Sequence, residues 1–302
     1  MSDSGPQILL TGGTGFVGSH LTSALLDQGY RVTILTRKRR KKHKDSEALR
    51  YIEALPPPDQ PWPFEAIINL AGENLFARRW TAKQKKRLRE SRLQLTNQLV
   101  DGIRANSNIK RLLSASAIGY YGASDSPALN ECAPSGEDFA AHLCRDWEAC
   151  ARQAEDATTV QCLRIGVVLG RGGALNNLLP PFQLGLGGPI GFGKQGFSWI
   201  HIDDLVALFL ACLRGEIKAE VINATSPQPV SNRDFAKALG RTLHRPAIIP
   251  MPPLALRLIL GEVSSLLTTG QFVIPEAALQ EGFQFRFTTI DDALADILAQ
   301  SE

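Results

Sequence analysis

The sequence predicts an α/β fold in which a parallel sheet is covered by helices on both faces. Three observations support this class: short apolar runs that stop at glycines, stretches with apolar residues at helical spacing, and an alternation of the two along the first half of the chain. Parallel strands need long crossover connections, which helices supply. Such strands are buried on both faces, so they are nearly continuous in apolar residues, as these runs are.

The predicted elements follow one another at short intervals. After the first apolar run, helical spacing of apolar residues predicts a helix from Val17 to Gln28, which Gly29 ends. The polar stretch 82–103 predicts a second, longer helix. The predicted strands are QILLT at 7–11, RVTILT at 31–36, EAIINLAG at 65–72, RLLSAS at 111–116 and VQCLRIGVVLG at 160–170.

The second half of the chain is organised differently. Its first part is rich in Gly and Pro, which predicts a loop, and its last part predicts helices with a few short strands. Between them AEVINA (219–224) predicts a strand that returns to the sheet. We therefore predict a sheet domain at 1–171 that is completed by 200–226, and a smaller C-terminal, substrate-side lobe formed by 172–199 and 227–302.

Composition and charge argue against nucleic-acid binding. With 44% hydrophobic and 21% charged residues, the chain of 302 residues resembles ordinary globular proteins. The formal net charge is +3, yet seven of the eight residues at 37–44 are Lys or Arg, so the rest of the chain is slightly acidic. A nucleic-acid-binding protein spreads its basic residues over a face or a helix. One short basic block therefore argues against nucleic acid as a partner.

Cysteine usage and hydropathy predict the cellular setting. The five cysteines form an odd set without a Cys-x-x-Cys pair, which indicates reduced thiols rather than disulfides or a metal site. The N-terminus lacks the zones of a signal peptide. The long uncharged stretch 172–193 is interrupted by Gly and Pro, which predicts a loop and no membrane span. We expect a cytoplasmic protein without membrane partners, for which a homodimer is one open arrangement.

A glycine-rich turn joins the first predicted strand to the first helix. TGGTGFVG (11–18) satisfies the spacing Gly-x-Gly-x-x-Gly at Gly13, Gly15 and Gly18. The pattern is weak evidence alone, but a strand before it and a helix after it are the context of a dinucleotide site. There the glycines let the backbone approach a pyrophosphate, which meets free N–H groups at the helix N-terminus. This context predicts a Rossmann-type, doubly wound sheet.

The end of the second strand predicts which dinucleotide is bound. At this position an acidic side chain accepts hydrogen bonds from the ribose 2′-hydroxyl of NAD, whereas an arginine accommodates the 2′-phosphate of NADP. No acidic residue occurs between Asp27 and Asp45, and the strand leads directly into Arg37 and Lys38. The sequence therefore predicts NADP as the cofactor, with Arg37 and Lys38 at its 2′-phosphate. The remaining charges up to Lys44 are expected to form a solvated loop.

Several motifs resemble those of one protein family. Their order and number are similar to those of the extended short-chain dehydrogenase/reductase superfamily, and more narrowly to its atypical epimerase-family branch, an NAD-dependent epimerase/dehydratase-like group with its own C-terminal domain. The similarity covers nearly the whole chain. The motifs are ILLTGGTGFVGSHL (8–21), INLAGEN (68–74), SASAIGYYG (114–122), GVVLG (166–170), LGLGGPIGFGKQ (184–195), SWIHIDDLV (198–206) and GQFVIPEAALQEGFQFRF (270–287).

This resemblance implies cofactor contacts for four groups of residues. The pyrophosphate would be held by Thr11, Gly12, Gly15, Phe16, Val17 and Gly18. The adenosine phosphate would be held by Thr36 and Arg37, and the adenine and its ribose would be bordered by Leu70, Ala71 and Gly72. Arg92 would point towards the cofactor phosphates, the alternative being a surface arginine on a basic helix. Gly166 would lie near the nicotinamide amide.

The resemblance also exposes a missing catalytic pair. Active members of the superfamily have Ser or Thr and a later Tyr-x-x-x-Lys, in which Tyr is the acid/base and Lys lowers its pKa. The segment where the pair belongs is DFAAHLCRDWE (138–148), and no lysine occurs between Lys110 and Lys194. The pair is absent.

Two functions remain open. In the first, the protein is an NADP(H)-dependent oxidoreductase or epimerase acting on an unknown small carbonyl or sugar-type substrate. Ser116 would bond the substrate oxygen, and Tyr120 or Tyr121 would supply the proton. His142, Arg145 or His201 would adjust the local charge, although His201 equally suits a helix cap before Asp203 and Asp204. In the second, the protein is a catalytically degenerate, regulatory NADP(H) binder.

Overall fold

The computed structural model describes residues 5–41, 43–126 and 128–299. Its main feature is a seven-stranded parallel sheet, joined by two small two-stranded sheets. The strands are β1 (Gln7–Thr11), β2 (Arg31–Leu35), β3 (Leu49–Ile52), β4 (Ala66–Asn69), β5 (Arg111–Ala117), β6 (Thr159–Ile165), β7 (Val167–Leu169), β8 (Gly196–Phe197), β9 (Trp199–His201), β10 (Val221–Ala224) and β11 (Val230–Ser231). The main sheet has the order β10-β6-β5-β4-β1-β2-β3, while β11 pairs with β8 and β7 with β9.

Helices cover both faces of the main sheet. They are α1 (Phe16–Asp27), α2 (Ala82–Ala105), α3 (Phe139–Arg152), α4 (Ala174–Gln183), α5 (Ile202–Arg214), α6 (Asn232–Thr242), α7 (Pro253–Leu260), α8 (Ser265–Thr268), α9 (Glu276–Gln280) and α10 (Ile290–Ala299), with 3₁₀ turns at Ile118–Tyr121 and Gly261–Ser264. Helix α1 packs beside α5, and α2 packs beside α3. The predicted doubly wound α/β fold is confirmed. None of the described helices has the length and apolar character needed to cross a membrane.

Alternating side chains of the strands form a separate core on each face. In β1, Ile8 and Leu10 belong to the core beneath α1 and α5, whereas Leu9 belongs to the core beneath α2 and α3. Successive residues of a strand point to opposite faces, so a sheet covered on both faces buries all three. This explains why the predicted strands are continuous apolar runs.

A third core lies in the C-terminal part of the chain. It is built around Trp199, Phe235 and Leu294, which come from β9, α6 and α10. Strand β10 returns to the main sheet beside β6, as AEVINA predicts. The division into a sheet domain and a smaller lobe stays a prediction, and this third core is consistent with it.

Three element predictions were incomplete. Strand β3 was missed because its four residues follow a strongly basic stretch, which hides the strand signal. The run 160–170 breaks at Gly166, since Val167 donates to the carbonyl of Ser198 and leaves the main sheet. The stretch 172–199 is not a loop throughout, because α4 forms within it despite Pro180 and Pro181.

The cysteines give a simple test of this packing. Cys132 is exposed and the other four cysteines are buried. Burial raises the pKa of Cys144 to about 11 and those of Cys162 and Cys212 to about 12, which keeps these thiols in their unreactive form. A thiol reagent should therefore modify Cys132 rapidly and the others slowly in the native protein. Peptide mapping checks this, and Cys132→Ser should abolish the rapid phase; rapid labelling of a second cysteine would contradict the packing.

Candidate functional site

The candidate site lies where the sheet order reverses. From β1 the chain adds β2 and β3 on one side, then crosses over to add β4, β5 and β6 on the other. In open α/β sheets, ligands bind at the carboxyl ends of the strands at such a reversal. The turn after β1 occupies this point, flanked by the loop after β2 and the loop after β4.

The glycine turn after β1 is closed against its neighbours. Gly12 has φ of 71°, and a Cβ atom there would lie 2.9 Å from the Leu70 carbonyl. A Cβ atom at Gly18 would lie 2.3 Å from the Gly12 oxygen, so the turn packs tightly on α1. The N-cap of α1 is Gly15, and no side chain caps this helix end. Its first N–H groups, including those of Phe16 and Val17, are therefore available to an anion.

Thr11 stabilises the turn from beneath. Its hydroxyl donates to Asn69 Oδ1 at 2.7 Å and accepts from the Ala71 N–H at 3.1 Å. Asn69 in turn donates to Thr96 Oγ1, which also accepts from the Trp147 indole. Thr11 and Asn69 are fully buried, so the Thr11 side chain joins the ends of β1 and β4. The geometry favours this supporting role over a direct pyrophosphate contact.

Basic side chains follow β2 at the other flank. Arg37 and Lys38 are exposed, and their side chains form no hydrogen bond or ion pair with any described residue. Thr36 is buried, and its hydroxyl donates to the Lys38 carbonyl at 3.3 Å. The two cations are therefore held at the strand end and remain available to a phosphate.

The rest of the basic loop is more ordered than a solvated loop. His43 is buried and stacks on Tyr51 at 4.7 Å between ring centres, and Arg39 pairs with Asp45 at 2.8 Å. The Arg39 N–H also donates to Glu53, an acid that follows the unpredicted β3. The expectation of a solvated loop was wrong for the buried His43, whereas Arg39, Arg40, Lys41 and Lys44 are exposed, and Lys42 lies outside the described residues.

The loop after β4 is braced by Arg92 of α2. Leu70 and Ala71 are half-buried and Gly72 is exposed at this edge. The Arg92 guanidinium lies against Gly72, where a Cβ atom would be 2.7 Å from Cζ. It also donates to the Glu73 carbonyl at 3.2 Å. Arg92 is half-buried, so it is not a free surface arginine.

Three further glycines pack closely against neighbouring residues beside the site. The Phe16 ring lies against Gly170 and Gly173, where added Cβ atoms would be 2.9 and 2.6 Å away. Gly166 is confined between Ser198 and Thr225, so the chain turns out of β6 without a side chain. The predicted cofactor residues thus meet at one edge of the sheet, which leaves their individual roles as predictions.

Ser116 lies in a buried ionic network. Its hydroxyl donates to Glu148 Oε1 at 2.6 Å, and its exposed fraction is 3%. Glu148 also receives both arms of Arg164, each at 2.9 Å. Burial would lower the pKa of Arg164, but its hydrogen bonds and charge interaction with Glu148 raise it above its usual value. Ser116 is engaged inside the protein, which argues against a bond to substrate.

Tyr121 belongs to the same network. Its hydroxyl accepts from Arg164 Nη1 at 2.9 Å and donates to Asn223 Oδ1 at 2.7 Å. Burial raises the pKa of Tyr121 to about 12, against the opposing effect of Arg164. The hydroxyl of this buried phenol already donates one hydrogen bond and accepts another, so it is a poor proton donor to a ligand.

Tyr120 differs from its neighbour. It is half-buried, and its hydroxyl has no hydrogen-bond partner among the described residues. The Arg164 guanidinium lies 3.4 Å from its ring centre, and the Tyr121 ring packs edge-on at 5.4 Å. The ring is thus held in place while the hydroxyl stays available. Of the three predicted catalytic residues, only Tyr120 has a hydroxyl that bonds none of the described residues.

The helix that should carry Tyr-x-x-x-Lys instead presents two small side chains. A Cβ atom at Gly119 would meet Ala140 Cβ at 3.5 Å and Cys144 Sγ at 3.9 Å, so these two residues of α3 face the turn after β5. They are four residues apart, as the missing pair would be, and both are buried. Neither side chain can act as the acid/base tyrosine or the lysine of the usual pair.

The histidines and Arg145 contribute less to this site. His142 Nε2 lies 3.2 Å from Glu137, and Arg145 is exposed on α3. His201 is the N-cap of α5, and its Nδ1 accepts from the Asp203 N–H at 3.1 Å. An accepting Nδ1 puts the proton on Nε2, which faces Asp296 Oδ2 at 3.4 Å. His201 is therefore a helix cap in its neutral form, and in this tautomer its Nε2 has no lone pair to offer a metal ion.

Comparison with known proteins identifies the family. The model of the NAD dependent epimerase/dehydratase family matches residues 8–224, and the model of a domain of unknown function matches residues 251–297. The chain belongs to the NAD dependent epimerase/dehydratase family. The matched ranges contain the glycine turn, the basic strand end and the Ser-Tyr-Tyr segment in the first part, and α7 to α10 in the second.

Similar proteins occur in plants, bacteria and animals. Epimerase family protein SDR39U1 homolog, chloroplastic, of Arabidopsis thaliana is 38% identical over 98% of this chain and 88% of its own. Epimerase family protein YfhF of Bacillus subtilis is 36% identical over 97% and 98%. The crystal structure of human epimerase family protein SDR39U1 (isoform 2) with NADPH has 36% identity and a TM-score of 0.87, and covers 97% of this chain and 99% of that one. The resemblance stated from the sequence is confirmed.

Proposed function

We propose that the protein binds NADP(H), with the 2′-phosphate at Arg37 and Lys38 and the pyrophosphate at the turn 11–18. The observation that carries the proposal is a pair of cations without partners in the described chain, held at the end of β2. The tight glycine turn and uncapped α1 fit a pyrophosphate. The human relative was crystallised with NADPH, which supports NADP(H) as the cofactor.

We further propose that the protein is a reductase of a small carbonyl or sugar-type substrate. NADPH supplies a hydride when bound, and the protein must supply a proton to the carbonyl oxygen. Tyr120 is placed to donate it, because its ring is fixed by Arg164 and its hydroxyl is available. A phenol has a pKa of about 10 in water, so it is a poor base at neutral pH but can donate a proton. Reduction needs such a proton, and it is the direction that we propose.

In this proposal the substrate binds on the side of the site that faces the C-terminal lobe. This lobe is formed by 172–199 and 227–302. Phe16, which follows the glycine turn, packs on Gly173 at the start of this lobe. The five cysteines are free thiols, which suits the proposed cytoplasmic location.

A catalytically degenerate NADP(H) binder is the second candidate function. It is favoured by Ala140 and Cys144, which fill the face of α3 where the usual acid/base pair would lie. Turnover distinguishes the two candidates. Oxidation of NADPH in the presence of small carbonyl compounds supports the reductase, and cofactor binding without turnover across the panel supports the regulatory binder.

Cofactor selectivity gives the direct test of the binding proposal. We expect NADPH to bind at least about tenfold more tightly than NADH, a difference of about 1.4 kcal/mol or more. Arg37→Asp should reduce or reverse this preference, because it places a carboxylate where the 2′-phosphate binds. Calorimetry with both cofactors measures it. Lys41→Asp, with the same charge change in the same loop, is the matched control and should retain the preference. Equal affinities in the wild type would contradict the proposal.

A further inference from the structure

The C-terminal part of the chain exposes a large apolar surface, which we call the lobe surface. Eleven large hydrophobic side chains are exposed among the described residues, and nine of them lie in two segments, 184–192 and 248–259. Single exposed hydrophobic residues are ordinary, whereas a concentration of this kind marks an interaction surface. The nine residues are Leu184, Leu186, Phe192, Ile248, Ile249, Met251, Leu254, Leu258 and Ile259.

The two segments lie side by side. The Ile249 N–H donates to the Gly187 carbonyl at 3.1 Å, and the Met251 N–H donates to that of Pro189 at 2.8 Å. The Gly191 N–H donates back to the Met251 carbonyl at 2.9 Å. These backbone hydrogen bonds join the loop before β8 to the segment that leads into α7. The nine side chains therefore belong to one region of the molecule.

Helix α7 is apolar on its outer face as well as on its inner one. Leu256 is buried, while Leu254 and Leu258, one turn apart, are 68% and 69% exposed. A helix that is apolar all round is normally covered on all sides. Arg79, from the loop after β4, fixes the end of this helix, because its Nε donates to the Ile259 carbonyl at 2.9 Å. The outer face of α7 is therefore presented in a fixed position.

The high exposure distinguishes the lobe surface from a substrate pocket. A small-molecule pocket is concave and encloses most of its ligand, so the side chains that line it are themselves largely covered. Phe192 and Ile248 are 82% and 79% exposed, which places them on a protruding surface. Such a surface suits a macromolecule with a complementary apolar face.

The apolar area of the lobe surface matches the requirement of a stable dimer. Full burial of an aliphatic side chain of this size removes roughly 100 Å² of apolar surface from water. Nine such side chains, about two-thirds exposed, therefore offer roughly 600 Å². A stable interface buries about 800 Å² on each partner, of which about 56–65% is apolar. The lobe surface is thus large enough to form the apolar part of such an interface.

The distribution of charge favours a second copy of the chain over a lipid surface. No charged residue occurs in 172–193 or in 246–256, so two copies can meet there without opposing like charges. A helix that binds a membrane surface instead carries several Lys and Arg residues opposite its apolar face. Helix α7 carries only Arg257, and its inner face packs on the protein through Leu256.

We propose that the protein forms a homodimer through the lobe surface, with α7 of each copy next to a two-fold axis. In such an isologous contact both copies use the same residues. The two α7 helices pack antiparallel through Leu254 and Leu258, and Phe192 and Ile248 flank them. The proposal is independent of the proposed function, because it uses no residue of the cofactor site.

The oligomeric state of the full-length protein tests the proposal. Sedimentation equilibrium of the wild type under reducing conditions should give the mass of two chains. For Leu258→Asp we expect about a 100-fold or greater rise in the dissociation constant of the dimer, because it places an unpaired carboxylate near the centre of the interface. Phe192→Asp should weaken the dimer from the other segment. Both residues are exposed in the single chain, so circular dichroism should show the wild-type fold.

Leu279→Asp is the matched control. Leu279 is an exposed leucine of α9, outside the lobe surface, so the same change there should leave the dimer intact. A monomeric wild type at micromolar concentration would overturn the proposal. Dimers of unchanged strength in both Leu258→Asp and Phe192→Asp would also overturn it, since the interface would then lie elsewhere. Sedimentation of a monomer with phosphatidylserine vesicles would overturn it in favour of a lipid surface.

Discussion

Replacing Arg164 with Met should lower the free energy of unfolding by about 3–5 kcal/mol, because it leaves a buried carboxylate without its counter-charge. Arg164 and Glu148 are 3% and 5% exposed, and two hydrogen bonds of 2.9 Å join them. The same change removes the donor to the Tyr121 hydroxyl. Urea unfolding of the wild type and variant measures the effect.

Two further variants show whether the buried pair is responsible. Arg104→Met removes an exposed ion pair with Asp156 and should cost less than about 1 kcal/mol. The double variant Arg164→Met/Glu148→Leu removes both charges, so it should lose less stability than the sum of the two single changes. If Arg164→Met is no more destabilising than Arg104→Met, the prediction is wrong, because the buried pair then contributes no more to the free energy of unfolding than an exposed pair does.

The buried Arg164–Glu148 pair also helps to fix the structure of the candidate site. Arg164 connects Glu148 of α3 with the Tyr121 hydroxyl and lies beneath the Tyr120 ring. Ser116 and Asn223 complete the network from β5 and β10. The turn after β5 is therefore fixed by hydrogen bonds in its interior, and the Tyr120 hydroxyl is left at its surface.

The cofactor side of the site could be predicted from the sequence because its signals are local. The glycine turn, the preceding apolar strand and the basic residues after β2 lie within about thirty residues, and each has a specific physical requirement. The loop of Arg39 and His43 was less predictable. Its order depends on Asp45, Tyr51 and Glu53, which act through β3, a strand hidden by its polar surroundings.

The catalytic side could be predicted only in part, because its contacts are distant in sequence. Arg164 and Glu148 were missed: one lies in an apolar strand and the other in a helix, and nothing local indicates that they meet. Tyr120 and Tyr121 are equivalent in sequence, and the fold separates them by turning one hydroxyl towards Asn223. The missing Tyr-x-x-x-Lys pair was visible, since an absence over a defined segment needs no tertiary information.

Replacing Tyr120 with Phe should lower carbonyl reduction by at least about tenfold, and by as much as about 10²–10⁴-fold if proton donation limits the rate. The variant keeps the ring that Arg164 contacts and removes the hydroxyl, which bonds no described residue, so the fold should be unaffected. NADPH oxidation against a panel of small carbonyl compounds measures the rate. Calorimetry with NADPH should give the wild-type affinity, which restricts the loss to the chemical step.

Tyr121→Phe and Ser116→Ala are the comparisons that make this result specific. Both remove hydroxyls engaged in the Arg164–Glu148 network, so they should reduce stability while changing turnover less than Tyr120→Phe does. A larger loss of turnover in Tyr121→Phe at unchanged stability would transfer the proton-donor role to Tyr121. Equal turnover in all three variants would leave the reductase proposal without a proton donor. Together with the small residues at 140 and 144, that result would support the regulatory NADP(H) binder.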